Sequence, residues 1–162
     1  MIKYKEDWEE AKKHYEAYWE KSSTDRCCLA MTTKRTNGTI PYPNREYTTP
    51  EDWYTNVQCM HEFTMNGCEG SEFLYECIPS KIMDFGVAGQ CQYFGSIPNY
   101  TPGTIWFDPI IDEPDINLIQ FDKSKFEPHR KITQGLVDLA KDNYFVAMND
   151  NCGMERNAGR GF

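Results

Sequence analysis

Apolar residues recur at steps of three and four positions in three segments of the chain, which predicts three amphipathic helices. The helices are expected at residues 8–21, 50–66 and 128–141. Short apolar runs bounded by turn residues predict strands. The strands are expected at residues 27–33, 72–78, 104–107 and 144–149. Glycines and prolines interrupt residues 80–103, so the pattern predicts no single element there.

Helices and strands alternate along the chain, which predicts an α/β fold in which helices cover a mainly parallel sheet. No internal repeat and no low-complexity linker divides the sequence, so residues 1–162 are expected to form a single domain. The strand predicted at 144–149 is apolar on both faces, as is typical of a strand buried inside a parallel sheet. Such a strand needs a neighbouring strand and a covering helix, and the residues after it predict neither.

The composition is that of a globular protein, with 40% apolar and 26% charged residues among 162. The formal charge is −8, from 17 basic and 25 acidic residues, which disfavours nucleic acid or an anionic membrane as the main partner. No run of residues is long and apolar enough for a membrane span. The N-terminal residues are charged and do not resemble a signal peptide, so a cytoplasmic location is expected.

Seven cysteines are scattered along the chain, and none belongs to a Cys-x-x-Cys motif. An odd number without regular spacing predicts free thiols rather than a disulfide framework or a metal site. The histidines, His14, His61 and His129, have no second histidine or cysteine at a ligand spacing. Phosphate-binding glycine motifs and the Gly-x-Ser-x-Gly nucleophile motif are also missing from the sequence.

Polar side chains stand at the ends of the predicted strands, where parallel sheets gather their ligands. A carboxylate at such an edge can act as a general acid or base, or hold a cation. Asp150 and Glu76 are therefore the predicted catalytic residues. The predicted substrate-binding residues are Lys34, Arg35 and Asp108. For each carboxylate, the alternative is a solvated loop acid or a helix cap.

Residues 8–26 contain His-Tyr-Glu-Ala-Tyr-Trp at 14–19 and Thr-Asp-Arg at 24–26. This segment resembles the opening of uncharacterised members of the uroporphyrinogen decarboxylase-like superfamily. Gly-Ser-Glu-Phe at 70–73, followed by an apolar strand, is also similar. The most specific stretch is Thr-Ile-Trp-Phe-Asp-Pro at 104–109, because families of this group carry a Thr-Val-Trp-Phe-like run there.

The end of the chain adds to the resemblance, which covers nearly residues 1–152. Phe-Asp at 121–122, a helix, and then Phe-Val-Ala-Met-Asn-Asp at 145–150 match the family's succession of elements. The superfamily has a (β/α) barrel fold. It includes the haem-pathway decarboxylase and the zinc methyltransferases that move methyl groups between corrinoid proteins and thiols.

Two departures decide what the resemblance implies. The decarboxylases carry an Arg-Gln-Ala-Gly-Arg-Tyr-like run after the first strand, whereas residues 31–36 read Met-Thr-Thr-Lys-Arg-Thr. An octacarboxylate substrate requires a basic cleft, so a methyltransferase is preferred to a decarboxylase. The zinc ligands of the methyltransferases lie in the later half of the family's chain. This chain is therefore expected to hold no metal itself, although zinc and a corrinoid partner are implied for the complete enzyme.

The length is the second departure, because a complete barrel takes roughly 250 residues and eight strands. Four strands are predicted here, and residues 152–162 depart from the family pattern. The resemblance therefore indicates the N-terminal portion of a barrel, from a truncated, frameshifted or split enzyme that is inactive alone. The open sheet edges predict self-association or a second chain that completes the barrel. A non-catalytic remnant or assembly module is the remaining alternative.

Overall fold

The computed structural model describes residues 2–38, 42, 49–86, 88–112 and 115–147, and within them the fold is mixed α/β, as predicted. The helices are α1 (Trp8–Trp19), α2 (Asp52–Thr55), α3 (Val57–Gly70) and α4 (Lys123–Ala140). The strands are β1 (Ala30–Lys34), β2 (Ser71–Tyr75), β3 (Ser80–Ile82), β4 (Pro98–Tyr100), β5 (Ile105–Phe107) and β6 (Phe145–Ala147). Short 3-10 helices occur at Gly89–Phe94 and Ile116–Leu118.

The strands form three separate two-stranded sheets within the described part of the chain. β3 pairs with β6 in parallel, and α4 precedes β6 on the connection between them. β1 pairs with β2, and β4 with β5, in antiparallel orientation. The expectation of a mainly parallel sheet is therefore confirmed only for β3 and β6.

The β4–β5 pair shows why the chain departs from parallel pairing there. The two strands are joined by a tight turn in which the Thr101 N–H donates to the Thr104 carbonyl at 3.0 Å. The Thr101 hydroxyl donates to the same carbonyl at 2.6 Å. A connection this short can join only antiparallel strands, since a parallel pair needs a crossover of a dozen or more residues.

The helix predicted at 50–66 is divided into α2 and α3 by Asn56. This residue has an extended backbone, and its side chain accepts a hydrogen bond from the Cys59 N–H. Asparagine is a favoured N-cap because its side chain satisfies one of the backbone donors at the start of a helix. The apolar spacing continues across the break, which is why periodicity alone predicted one helix.

The helix predicted to begin at Pro128 begins five residues earlier, at Lys123. Asp122 caps it by accepting a hydrogen bond from the Ser124 N–H at 2.9 Å. Pro128 therefore lies inside the helix, where its missing N–H leaves the Ser124 carbonyl without its usual intrahelical donor. Because proline is common at the first position of a helix, Pro128 was wrongly predicted to mark the start of this one.

The hydrophobic core lies between α3, α4 and the β3–β6 pair. Leu136 is fully buried, and Gly135 beside it allows α4 to approach Val57 of α3. The buried members of the core are Tyr4, Met60, Met65, Cys68, Met83, Leu136, Ala140 and Tyr144. β1, in contrast, is exposed along its whole length.

Free thiols are confirmed for the cysteines of the described ranges, which form no disulfide with one another. They are Cys27, Cys28, Cys59, Cys68, Cys77 and Cys91. Burial raises the pKa of the Cys68 thiol to about 11, so this group is protonated at neutral pH. Cys152 lies outside the described residues.

Candidate functional site

The antiparallel pairing of β1 and β2 separates residues that the sequence placed at a common sheet edge. Lys34 pairs with Ser71 at one end of the ladder, and Ala30 pairs with Tyr75 at the other. Glu76 follows Tyr75, so it lies beyond the end opposite to Lys34 and Arg35. Four residue steps along an antiparallel strand span about 14 Å. The structure therefore does not bring the predicted basic pair and Glu76 together.

Glu76 is buried, and both of its carboxylate oxygens are fully engaged. The Arg26 guanidinium donates to both oxygens at 2.7 Å, and the Leu29 N–H donates to Oε2 at 2.7 Å. His14 Nδ1 lies 2.6 Å from Oε1. The pKa of Glu76 is about 2, against an ordinary value of 4.5, because the Arg26 guanidinium and, to a smaller extent, the hydrogen bonds from Leu29 and His14 stabilise the ionised carboxylate.

This geometry decides what Glu76 can do chemically. A carboxyl group with so low a pKa is ionised at neutral pH and is a poor proton donor or acceptor there. Glu76 instead joins α1, the segment before β1 and the end of β2 through a charged hydrogen-bond network. The arrangement suits an anchor of the fold, and the catalytic role predicted for Glu76 stays a prediction.

A small cavity, called here the aromatic cavity, lies among α2, α3 and β3. Its volume is about 150 Å³. It is lined by Trp53, Tyr54, Cys59, Met60, Phe63, Lys81 and Asp84. Ligand sites are typically apolar clefts with a few convergent polar groups, and this cavity has that composition.

The aromatic cavity lies at the carboxyl end of the parallel strand pair. Ile82 pairs with Ala147, and the Met83 N–H donates to the Ala147 carbonyl at 3.0 Å. Asp84 is the next residue, so it stands at the edge where open α/β sheets bind their ligands. Asp150 follows Ala147 in sequence but lies outside the described residues. Lys81 and Asp84 were not predicted as site residues, because the sequence pattern predicted no single element between residues 80 and 103.

A glycine two residues further on fixes the position of Asp84. The Gly86 N–H donates to Asp84 Oδ1 at 2.8 Å, closing a small turn that the side chain itself completes. Gly86 has φ of 86°, and a Cβ at this position would lie 2.9 Å from the Cβ of Ile105. Only glycine meets both conditions without strain.

We therefore expect Gly86→Ala to lower the free energy of unfolding by about 2 kcal/mol, from left-handed backbone strain and the clash with Ile105. Urea denaturation measures this change. Gly103→Ala is the matched control, because its Cβ would meet nothing within 4 Å. That control should change the unfolding free energy by less than about 0.5 kcal/mol. Equal effects of the two substitutions would contradict the argument.

A wider open cleft of about 430 Å³ contains Asp108, the third predicted substrate-binding residue. Glu51, Asn99 and Tyr100 also line it. The rings of Tyr100 and Tyr54 lie 5.9 Å apart, so this pair of rings separates the cleft from the aromatic cavity. Burial raises the pKa of both phenols, with an added contribution from Asp84 at Tyr54, and both are therefore neutral hydrogen-bond donors at neutral pH.

Lys34 and Arg35 line neither the open cleft nor the aromatic cavity. Lys34 is exposed at the end of β1, and the Arg35 guanidinium lies 5.9 Å from the centre of the Tyr4 ring. A contact of this kind is a cation–π interaction. The two residues thus face a different part of the molecule from Asp108, and their predicted substrate-binding role stays a prediction.

The described residues do not fit the zinc that the family resemblance implies. Among them, no three histidine, cysteine, aspartate or glutamate side chains lie close enough to hold a metal ion. A catalytic zinc site needs three protein ligands, so no catalytic step through zinc is assigned to this part of the chain.

No helix within the described ranges is both long and apolar enough to cross a membrane. Comparison with protein-family models, curated proteins and solved structures finds no match to this chain.

Proposed function

We propose that this chain is the N-terminal part of a uroporphyrinogen decarboxylase-like barrel enzyme, and that the aromatic cavity is its contribution to the substrate pocket. The observation that supports this most directly is the position of the cavity at the carboxyl end of β3 and β6. In (β/α) barrels the active site lies at that end of the strands. α4 packs against β6, as a crossover helix does in a β–α–β unit.

The exposed β1–β2 pair is antiparallel, unlike the parallel strands of a (β/α) barrel, but its exposure supports association with a further chain. Met31 and Leu74 are paired across the ladder and retain 50% and 37% exposure. A two-stranded sheet is marginally stable in water unless another element covers it. Further strands, from a second copy or from a second chain, would extend this pair and cover its apolar residues.

Within the family, the charges favour a methyltransferase over the decarboxylase. The chain carries −8, and Lys81 is the single basic residue among those that line the aromatic cavity in the described structure. Eight substrate carboxylates would need several cationic partners, because a buried charge is costly unless it is paired. Methyl transfer to a thiol makes no such demand on this part of the pocket. The zinc ligands and the corrinoid protein would then come from outside the described residues.

The proposed roles of the individual residues follow from this arrangement. Asp150, three residues after Ala147 in the sequence, would orient the substrate, and Asp108 would bind it in the cleft beside Tyr100. Asp84 and Lys81 add a second pair of polar groups at the same edge of the molecule. Glu76 would act indirectly, by holding α1 against β2.

The activity test compares the isolated chain with a mixture that supplies the second half of a complete homologue. We expect the isolated chain to bind no stoichiometric zinc and to transfer no methyl group, because a three-ligand site is not formed by its described residues. The mixture should consume methylcobalamin with a thiol acceptor. Metal analysis and methylcobalamin absorbance provide the two readouts.

Asp150→Ala should then lower turnover by at least about a hundredfold, the lower end of what a positioned acid or base contributes. Asp138→Ala is the control, since Asp138 is exposed on α4 and lines neither the aromatic cavity nor the cleft around Asp108. Its turnover should equal that of the unsubstituted mixture. Tight zinc and turnover from the isolated chain would overturn the proposal of an incomplete enzyme.

Two alternatives give different results. Saturable binding of a porphyrinogen, without methyl transfer, would favour the decarboxylase. Self-association in sedimentation experiments, together with an inactive mixture, would favour an assembly module or remnant that associates through the exposed β1–β2 pair.

A further inference from the structure

The size of the aromatic cavity limits the ligand that it can enclose. A protein cavity of about 150 Å³ lined by apolar side chains accommodates one benzene molecule. The aromatic cavity has a volume of about 150 Å³. It therefore suits a single six-membered ring, and it is too small for a macrocycle.

The walls of the cavity suit a flat ring. The Trp53 and Phe63 rings have centroids 6.2 Å apart and are inclined by 36°. They remain 50% and 66% exposed, whereas Met60, which also lines the cavity, is 4% exposed. Aromatic rings favour offset and edge-to-face neighbours at centroid separations of roughly 4.5 to 7 Å. A ligand ring would cover these exposed aromatic surfaces and contact the thioether of Met60.

Two charged groups at the cavity are available to a ligand. Within the part of the chain that the structure describes, the Lys81 ammonium forms no hydrogen bond or ion pair. Asp84 uses Oδ1 to accept from the Gly86 N–H, which leaves Oδ2 for another donor. The two side chains do not form an ion pair with each other. An anionic group and a hydrogen-bond donor on one ligand would satisfy both.

We propose that the aromatic cavity binds a single-ring aromatic acid that carries a hydroxyl or amino group. The ring would lie against Trp53, Phe63 and Met60, the carboxylate would pair with Lys81, and the hydroxyl or amino group would donate to Asp84. An uncharged ring would bury Lys81 without a partner, which is costly. The proposal rests on the proposed function only in assigning this cavity to a substrate, and it requires no bond-forming step.

The test is calorimetric titration of the full chain with 4-hydroxybenzoate, 3-hydroxybenzoate, 4-aminobenzoate, benzoate and phenol. We expect saturable binding, with at least one of the substituted acids binding at least about tenfold more tightly than phenol, as a charge-assisted contact provides. Lys81→Gln should weaken binding of that acid at least about tenfold, and Lys81→Arg should retain most of it. Lys125→Gln, at an exposed lysine on α4, should leave it unchanged.

Asp84→Asn separates the two polar contacts. It should weaken binding of the substituted acid several-fold and leave benzoate binding unchanged, because benzoate has no donor for Asp84. Thermal melts of each variant show whether it remains folded. The absence of saturable binding by wild type, or equal affinity of wild type and a folded Lys81→Gln variant, would overturn the inference.

The outcomes for the ligand and for the proposed function are independent. Binding of the ring acid without methyl transfer by the mixture would support the inference and count against the methyltransferase. Methyl transfer by the mixture without binding of any ring acid would retain the proposed function and overturn the inference.

Discussion

Glu76→Gln is expected to lower the free energy of unfolding by about 3 kcal/mol, the lower range for breaking a buried ion pair by removal of one partner. The substitution keeps the shape of the side chain but removes its charge. A glutamine has one side-chain oxygen instead of two, so it cannot accept from both nitrogens of the Arg26 guanidinium and from the Leu29 N–H as the carboxylate does. The lower range applies because Arg26 is 29% exposed, so water reaches its guanidinium.

Urea denaturation of wild type and variant at neutral pH measures this loss. The matched control is Glu127→Gln, since Glu127 also forms a two-pronged hydrogen bond with an arginine, Arg130, but at the surface of α4. Exposed ion pairs contribute roughly 0 to 1 kcal/mol, so the control should differ little from wild type. A loss below about 1 kcal/mol for Glu76→Gln would show that the network around Glu76 does not stabilise the fold.

The second large expected effect is a loss of folding stability at acidic pH. The folded-state pKa of Glu76 is about 2 and its ordinary value is 4.5, so this carboxyl contributes stability that is fully present above pH 4.5. As the pH falls below 4.5, the unfolded chain takes up a proton that the folded chain does not. The contribution is lost progressively until the pH reaches about 2. The pKa difference corresponds to about 3 kcal/mol in all.

Two buried histidines add to acid sensitivity at a higher pH. Burial lowers the pKa of His61 and of His129 below the ordinary value of 6.5. Below pH 6.5 the unfolded chain therefore binds protons that these folded side chains exclude, and stability declines. The loss due to Glu76 begins only below 4.5, so it starts at a lower pH than the loss due to the histidines.

The measurement is the unfolding free energy of wild type and of Glu76→Gln over a series of pH values. The difference in unfolding free energy between the two proteins should be constant from neutral pH down to 4.5, because both lose the histidine contribution equally. Below 4.5 the difference should decrease, because only wild type loses the contribution of the Glu76 carboxylate. A difference that stays constant through the acid range would mean that Glu76 has an ordinary pKa in the folded protein.

These effects bear on how activity data should be interpreted. A loss of activity in Glu76→Gln would not identify a catalytic carboxylate, because the same substitution weakens the packing of α1 against β2. Asp150→Ala is the cleaner test of catalysis. Asp84→Asn adds an independent test at the aromatic cavity.

The hydrophobic pattern by itself determined most of the local structure. The spacing of Trp8, Ala11 and Tyr15 predicted α1, and short apolar runs predicted β1, β2, β5 and β6 to within a few residues. The helix predictions succeed because one-sided burial imposes a period of 3.6 on helices, and the strand predictions because short apolar runs bounded by turn residues favour extended backbone. The free thiols in the described ranges also followed from number and spacing.

Strand pairing and the candidate site depended on the tertiary structure. An apolar run predicts a strand, but it carries no information on whether its partner runs parallel or antiparallel, so β1 and β2 were placed in the wrong relation. Glu76 contacts Arg26 and His14 across 50 and 62 residues, and no local pattern records such a pair. The aromatic cavity likewise exists only because α2, α3 and β3 meet, since each contributes side chains that are unremarkable on their own element. The Glu76 ion pair and the aromatic cavity both depend on distances between residues that are remote in sequence, and only the folded structure fixes those distances.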